Sequence, residues 1–277
     1  MENYKNVETK IINVNGTKFA YRELGAQAEI PVIFLNHLTA NIDDCDPGVI
    51  EGIAREHHII VFDNRGVGRT EGKTPDDVSE MAKDAFDFIN ALGFKVVDLF
   101  GYSLGGFVAQ VLAKEHPEFV RKLILAGTAP SGGEASDAHT MTLEEAVQKA
   151  NIEKKHPKQV FFFSPSQYSQ AAANEFLSRL SERKEDLDNP VTQEVIGSQL
   201  TAISKWFSTE LFPLSAIEQP TLIVNGDRDF MLPTSNSIKL FNGIPNSKLA
   251  IYPDTGHGGI FQYHNIFVEQ AIEFLKN

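Results

Sequence analysis

Leu99-Phe100-Gly101-Tyr102-Ser103-Leu104-Gly105-Gly106 sets a serine in the pattern G-x-S-x-G, where an apolar strand-like run meets a helix-like one. A hydroxyl on such a sharp turn is presented for attack. The turn strains the backbone, so the residues two before and two after must be small. The start of a helix also offers partial positive charge to a developing anion. Ser103 is therefore a candidate nucleophile, although a glycine-rich turn with a capping serine would look the same in isolation. A serine hydroxyl attacks only when a base removes its proton and an acid orients that base. Of the eight histidines, His57, His58, His116, His139, His156 and His264 fall in helix flanks, surface turns or a helical stretch. His257 lies in Asp254-Thr255-Gly256-His257-Gly258-Gly259, a glycine-rich loop just after the last strand-like run. Open α/β sheets place ligands in loops at the carboxyl ends of their strands, so His257 is the candidate base. For the acid, Asp227 and Asp229 compete in the loop after the preceding strand-like run. Asp227 could cap the turn and pair with Arg228, whereas Asp229 reaches further into the loop and is favoured.

The elements that must hold these groups can be read from periodicity. Ile11–Val14 and Lys18–Tyr21 flank Asn15-Gly16, a hairpin signal because both residues tolerate positive φ. Short apolar runs follow at Pro31–Leu35, Ile59–Phe62, Val96–Phe100 and Leu123–Ala126, as expected for parallel strands covered on both faces. Met81, Ala85, Phe88, Ile89 and Leu92 form one helical stripe, stopped by Gly93. Leu104, Phe107, Val108, Val111 and Leu112 form another, ended at His116-Pro117. The spacing predicts βαβ units and an open, mostly parallel α/β sheet.

Between residues 130 and 213 no strand is predicted. Ser164-Pro165 with Gln167 reads as an N-cap, a first-turn proline and a capping-box partner, and Asn189-Pro190 repeats the cap-plus-proline signal. Ile196, Leu200, Ile203 and Phe207 then follow at helical spacing. Alternation resumes with TLIVN, a helix over Ser235–Phe241, a strand over Lys248–Tyr252 and one closing helix over Ile260–Leu275. The expected organisation is an α/β core of residues 1–129 and 214–277 interrupted by a helical cap of residues 130–213.

Composition limits the partners. Lys plus Arg number 25 against 37 Asp plus Glu, a net charge of −12, which argues against nucleic acid and anionic membrane. The start MENYKNVETK lacks a signal-peptide pattern and no apolar run approaches a membrane span, so a cytoplasmic protein acting on a small molecule is expected. A single cysteine, Cys45, excludes an intrachain disulfide, suits a reducing compartment and reads as a small apolar filler. The acidic cluster Asp43, Asp44 and Asp46 reads as helix capping before Pro47. No H-x-H, C-x-x-C or H-E-x-x-H spacing suggests a metal, and Gly66-x-Gly68 is no dinucleotide fingerprint, so no cofactor is expected.

From about Thr9 to Leu275 the chain resembles the α/β-hydrolase superfamily, in which nucleophile, acid and histidine follow in the order Ser103, Asp229, His257. Asp229-Phe-Met-Leu-Pro233 matches the family's acid loop. Asp63-Asn64-Arg65-Gly66-Val67-Gly68-Arg69-Thr70 matches its D-x-R-G-x-G-x-S/T stretch, whose role is structural. The resemblance implies an oxyanion hole made by the backbone N–H groups of Leu38 and Leu104. One departure stands out: Asn36 and His37 occupy the places of the family's His and Gly. His37 then either lines the pocket or is a loop residue turned aside. His37, Tyr102, Trp206 and Phe207 are tentative pocket residues, although some cap aromatics must form the cap's own core. The implied activity is hydrolysis of a small, fairly apolar carboxylic ester or lactone. Cofactor-free perhydrolases, carbon–carbon bond hydrolases and acyl-homoserine lactone hydrolases keep the same three residues and stay open as alternatives. So does a non-catalytic small-molecule receptor built on the fold. A serine hydrolase should lose activity as falling pH protonates His257.

Overall fold

In a computed structural model, residues 3–135, 143–208 and 210–276 are described. His139 lies outside them. Eight strands among these residues build one sheet: β1 (Lys10–Val14), β2 (Thr17–Leu24), β3 (Val32–Leu35), β4 (Ile59–Phe62), β5 (Val97–Tyr102), β6 (Val120–Ala126), β7 (Thr221–Gly226) and β8 (Ser247–Tyr252). Their order is β1-β2-β4-β3-β5-β6-β7-β8, antiparallel only where β2 pairs with β1 and β4. The β1–β2 turn is Asn15-Gly16, with φ of 52° and 92°. Strands β3 to β5 and β7 are buried at every position, because helices cover both faces.

The helices of the core are α1 (Pro47–Ala54), α2 (Val78–Ala91) and α3 (Leu104–Glu115). Between β6 and β7 come α4 (Leu143–Glu153), α5 (Pro157–Phe162), α6 (Gln167–Leu180) and α7 (Gln193–Ser208), and no strand among the described residues. After β7 follow α8 (Thr234–Gly243), α9 (Gly259–Gln262) and α10 (His264–Lys276). Two-residue alternation along the strands sends Ile33, Leu35 and Leu99 into one apolar cluster with α2 and α3, and Val32, Phe34 and Phe100 into the other with α1 and α10. No helix among the described residues is long and apolar enough to cross a membrane.

Capping follows local chemistry, and in places it departs from expectation. Two of the three acidic residues cap as expected: Asp46 accepts the Gly48 N–H at the start of α1, and Asp44 closes a capping box with Asn41, whereas Asp43 pairs with Arg22 at 2.7 Å and accepts the Asp188 N–H at 2.6 Å. For α6, however, the cap is Ser166, whose Oγ accepts the Ser169 N–H at 3.1 Å. Ser164 lies two residues before that cap, its hydroxyl donating to Asp254 at 2.7 Å, and the Ser166 hydroxyl donates to the same carboxylate. Asn189 does not cap α7 either. Its carbonyl accepts from Asn41 and its side chain donates to Gly68 O, which ties it to core loops, and the helix starts only at Gln193. The closing segment is two helices, broken at Tyr263.

Helix α7 carries two apolar faces, and the stripe visible in sequence is not the buried one. Val195, Gln199, Ala202 and Trp206 turn inward. Trp206, 1% exposed, stacks on Phe107 with ring centroids 4.9 Å apart, and its Nε1–H donates to Ala129 O at 3.2 Å. The insertion thus enters the main core. Trp206→Ala should lower unfolding free energy by about 3–5 kcal/mol in urea titration, whereas Phe207→Ala, one residue on and half-buried, should cost clearly less.

Candidate active site

Ser103 occupies the turn between β5 and α3 with φ 56° and ψ −118°. This is left-handed backbone, which a residue with a β-carbon adopts only where its surroundings enforce it. They do so here. The Ser103 N–H donates to Ala126 O at 2.9 Å, and its carbonyl accepts from Thr128 Oγ1 at 2.8 Å and from the Gly106 N–H at 2.9 Å. A β-carbon at Gly101 would overlap the backbone of Gly105 and Gly106, and one at Gly105 would overlap the Leu35 carbonyl. Gly101 lets β5 turn tightly into α3, and Gly105 lets the helix start press against the end of β3. Leu104, the first residue of α3, has no intrahelical acceptor for its N–H.

His257 and Asp229 meet across the next two strand ends. Asp229 Oδ2 lies 2.8 Å from His257 Nδ1, and Asp229 Oδ1 accepts the N–H groups of Met231 and Leu232 at 2.9 and 3.0 Å. Facing a carboxylate, Nδ1 carries the proton, which leaves Nε2 as the basic lone pair. That Nε2 is buried and has no hydrogen-bond partner among the described residues, and His257 and Ser103 line one cavity. Asp227 turns elsewhere and accepts the Thr255 N–H at 3.2 Å. Arg228 pairs with Asp254 at 3.1 Å rather than with Asp227. Tyr102 lies behind the histidine, its ring centroid 5.2 Å away and its hydroxyl donating to His257 O at 3.2 Å. The insertion also reaches this loop, where the Gly258 N–H donates to Phe162 O at 2.8 Å.

Two hollows open onto Ser103 and share Leu38, Leu200 and Met231 in their walls. The larger, about 710 Å³, is lined by Val147, Phe161, Phe162, Ile196 and His257, with His37, Gln148, His156, Lys158 and Gln193 as its polar part. The smaller, about 270 Å³, is lined by Phe107, Ile203, Phe207, Phe230 and Leu232. Of the expected pocket residues, His37 and Phe207 stand on these walls. Tyr102 and Trp206 do not: both are fully buried, Tyr102 beneath the histidine and Trp206 in the core. Sequence reasoning missed Met231, Phe230, Phe162 and Lys158 as wall residues. The signal available was the stripe Ile196, Leu200, Ile203, Phe207, which lines the hollows, its Ile203 and Phe207 also resting on the edge of the core. Among the remaining histidines, His58 pairs with Glu23, His116 stacks on Phe86 and His156 caps α5. No group of three or more His, Cys, Asp or Glu among the described residues is arranged to hold a metal.

A family model described as the alpha/beta hydrolase fold matches residues 30–262. The chain belongs to the alpha/beta hydrolase family. It is similar over its full length to an alpha/beta hydrolase fold protein from Chitinophaga pinensis, at 39% identity and a TM-score of 0.92, covering 100% of both chains. Among curated proteins it is 23% identical over 269 residues to the serine hydrolase BPHL of Mus musculus, covering 96% of this chain and 85% of that one. It is 27% identical over 232 residues to a 2-hydroxy-6-oxononadienedioate/2-hydroxy-6-oxononatrienedioate hydrolase of Klebsiella pneumoniae, covering 79% and 76%.

As an alpha/beta hydrolase, the chain builds the loop after β3 in its own way. Asn36 accepts the His37 N–H at 3.0 Å and donates to Asn41 O at 2.8 Å. The His37 ring Nδ1 lies 2.7 Å from Leu38 O, which fixes Nδ1 as the donor. The N–H groups flanking Leu38 are both engaged, His37 by Asn36 and Thr39 by Gln199. The backbone N–H of Leu38 between them makes no hydrogen bond among the described residues. The family's Asp63 supports the same loop from below, its Oδ1 accepting the Ile42 N–H at 2.8 Å, while burial pushes its carboxyl well above the usual range.

Burial, with the Lys158 ammonium as the second cause, pushes the His37 imidazole down to about 3, against the attraction of Asp44. His257 also faces the ring. His37 is thus a neutral side chain in the folded protein and regains its ordinary affinity for protons on unfolding. The unfolded chain then binds the extra proton, so stability is fully present above about pH 6.5 and falls as pH drops toward 3. His37→Asn should flatten this dependence. Its stability, compared with the native protein by urea titration at pH 7 and pH 4, should lose less between the two by on the order of 3 kcal/mol.

Proposed function

We propose that this alpha/beta hydrolase is a serine hydrolase that cleaves a small, fairly apolar carboxylic ester or lactone through an acyl-enzyme on Ser103. The observation that carries the reading is the state of His257: Nδ1 held by Asp229 at 2.8 Å, Nε2 buried and unpartnered, in the cavity that Ser103 lines. In this reading Nε2 takes the Ser103 proton as Oγ attacks the carbonyl carbon. The tetrahedral oxyanion is received by the N–H groups of Leu38 and Leu104. His257 then returns the proton to the departing alkoxide, and a water molecule, activated the same way, releases the acid. Asp229 holds the tautomer and stabilises the imidazolium. No hydrogen bond joins Ser103 to Nε2 before substrate arrives; such contacts commonly tighten in the substrate complex.

The walls favour an uncharged substrate with two apolar arms. The smaller hollow is lined almost wholly by apolar side chains. Lys158, the one cation on the larger wall, already pairs with Asp44. A strongly anionic group would have to break that pair without a second cation to meet it. Together with the net charge of −12, this supports an ester or lactone over a dianionic substrate.

Incubation with an organophosphonate should add the inhibitor's mass to the native protein and leave Ser103→Ala unchanged; an unlabelled native protein would sink the reading. Asp229→Asn should lower kcat about 10⁴-fold on p-nitrophenyl esters while Asp227→Asn changes it little, and the reverse ranking would move the acid to Asp227. Phe207→Ala should shift preference toward longer esters. Each additional methylene accommodated should raise kcat/KM about fourfold relative to the native protein, measured across a chain-length series beside a lactone panel.

A further inference from the structure

Gln199 is an anomaly on the inner face of α7. Its neighbours on that face, Val195, Ala202 and Trp206, are apolar, and Gln199 itself is 0% exposed. A leucine or methionine would fill the space without burying an amide. The side chain is also incompletely satisfied, since its Nε2 has no partner among the described residues. A buried donor left in this state is costly, so the residue is a poor choice for stability alone. Its one side-chain bond among the described residues is to the loop after β3, where Oε1 accepts the Thr39 N–H at 2.9 Å. The assignment of Oε1 to that contact follows from chemistry, because an N–H requires an acceptor.

Thr39 is another non-glycine residue in left-handed backbone, with φ 64°. No carbonyl of its own loop takes the Thr39 N–H, which is met instead from the insertion, 160 residues away in sequence. Without Gln199 that N–H is left without its acceptor, and the available relaxation is rotation of the Leu38–Thr39 peptide. Such a rotation also pulls Leu38 O, on the same peptide, from His37 Nδ1. The peptide that follows Leu38 then loses both of its bonds, and of the side-chain bonds to this stretch the one between Asn36 and the His37 N–H remains.

We propose that Gln199 is a positioning residue that fixes the oxyanion loop from the cap, so that the Leu38 N–H is aimed at the substrate oxygen only while α7 is seated. This rests on the serine hydrolase reading given above, in which Leu38 is one of the two oxyanion donors. It makes the insertion a part of the catalytic apparatus and not only a wall of the cavity. Gln199 lines neither hollow, so its influence passes through the Thr39 peptide.

The test uses the full chain with Gln199→Met, which keeps the volume and removes the acceptor, and Gln199→Glu, which restores one. Each is measured with p-nitrophenyl butyrate, with an alkyl trifluoromethyl ketone that forms a tetrahedral oxyanion on the serine, and by thermal unfolding. Gln199→Met should lose 10- to 100-fold in kcat, part of what removing one donor costs, with KM within about twofold. Its affinity for the trifluoromethyl ketone should fall by the same factor, and Gln199→Glu should recover most of both. A merely structural role would lower the melting temperature without that parallel loss. If Gln199→Met reacts with the organophosphonate yet keeps native kcat and ketone affinity, the positioning role is overturned while the serine hydrolase reading stands. If the native protein takes up no organophosphonate, that reading falls, and the role assigned to Gln199 falls with it.

Discussion

The strained turn at Ser103 is the constraint around which the core is arranged. A residue with a β-carbon stays at φ 56° only if both sides of its peptide are pinned, and here β6 and its following loop do the pinning through Ala126 and Thr128. The turn also needs empty space on two sides: Gly101 leaves room for the first turn of α3, and Gly105 lets α3 touch the end of β3. That contact sets the distance between the start of α3 and the loop carrying Leu38. The two N–H groups that would share an oxyanion are therefore placed by the same crowding that holds the serine. A change as small as a methyl group at Gly105 would act on nucleophile and hole together.

The histidine loop and the loop after β3 are each held by two layers of contact, one from the sheet and one from the insertion. Asp229 orients His257 from the sheet edge, and Phe162 O receives the Gly258 N–H from α5. Asn36 and His37 fold the loop after β3 on itself, and Gln199 meets it from α7. Polar contacts of this kind are rigid only while every partner is present. Core and cap are in this sense one device, although they are separate stretches of the chain.

Much of this was legible in the sequence. Strand runs with period-two or continuous apolar patterns fell where strands are, and Asn15-Gly16 and Gly93 marked a turn and a helix end because their backbone demands are local. The serine and its two glycines were readable for the same reason. What could not be read was decided by long-range partners. Ser164 looked like a cap, but both it and the true cap Ser166 are held by Asp254 and the helix begins at Gln167; Asn189 looked like one until Asn41 and Gly68 took its carbonyl and amide. Trp206 and Phe207 are adjacent and equally apolar, yet a helix turns them about 100° apart, one into the core and one onto the cavity wall. Only the docking angle of α7 decides which is which, and that angle is not written in α7.

The seating of Trp206 against Phe107 has a mechanical consequence. An insertion whose last helix is nailed into the main core cannot open as a hinged body, because doing so would expose an indole and tear out its bond to Ala129. Traffic to the serine then falls to the part of the cap with the least buried contact. That part is α4, whose buried apolar anchor among the described residues amounts to Ala146 and Ala150 against Val160, whereas Phe162 ties α5 into the core. Segments with so small an apolar anchor open locally at low free-energy cost. α4 is thus the most lightly held wall of the cavity among the described residues, set against the fixed frame that Trp206 gives α7.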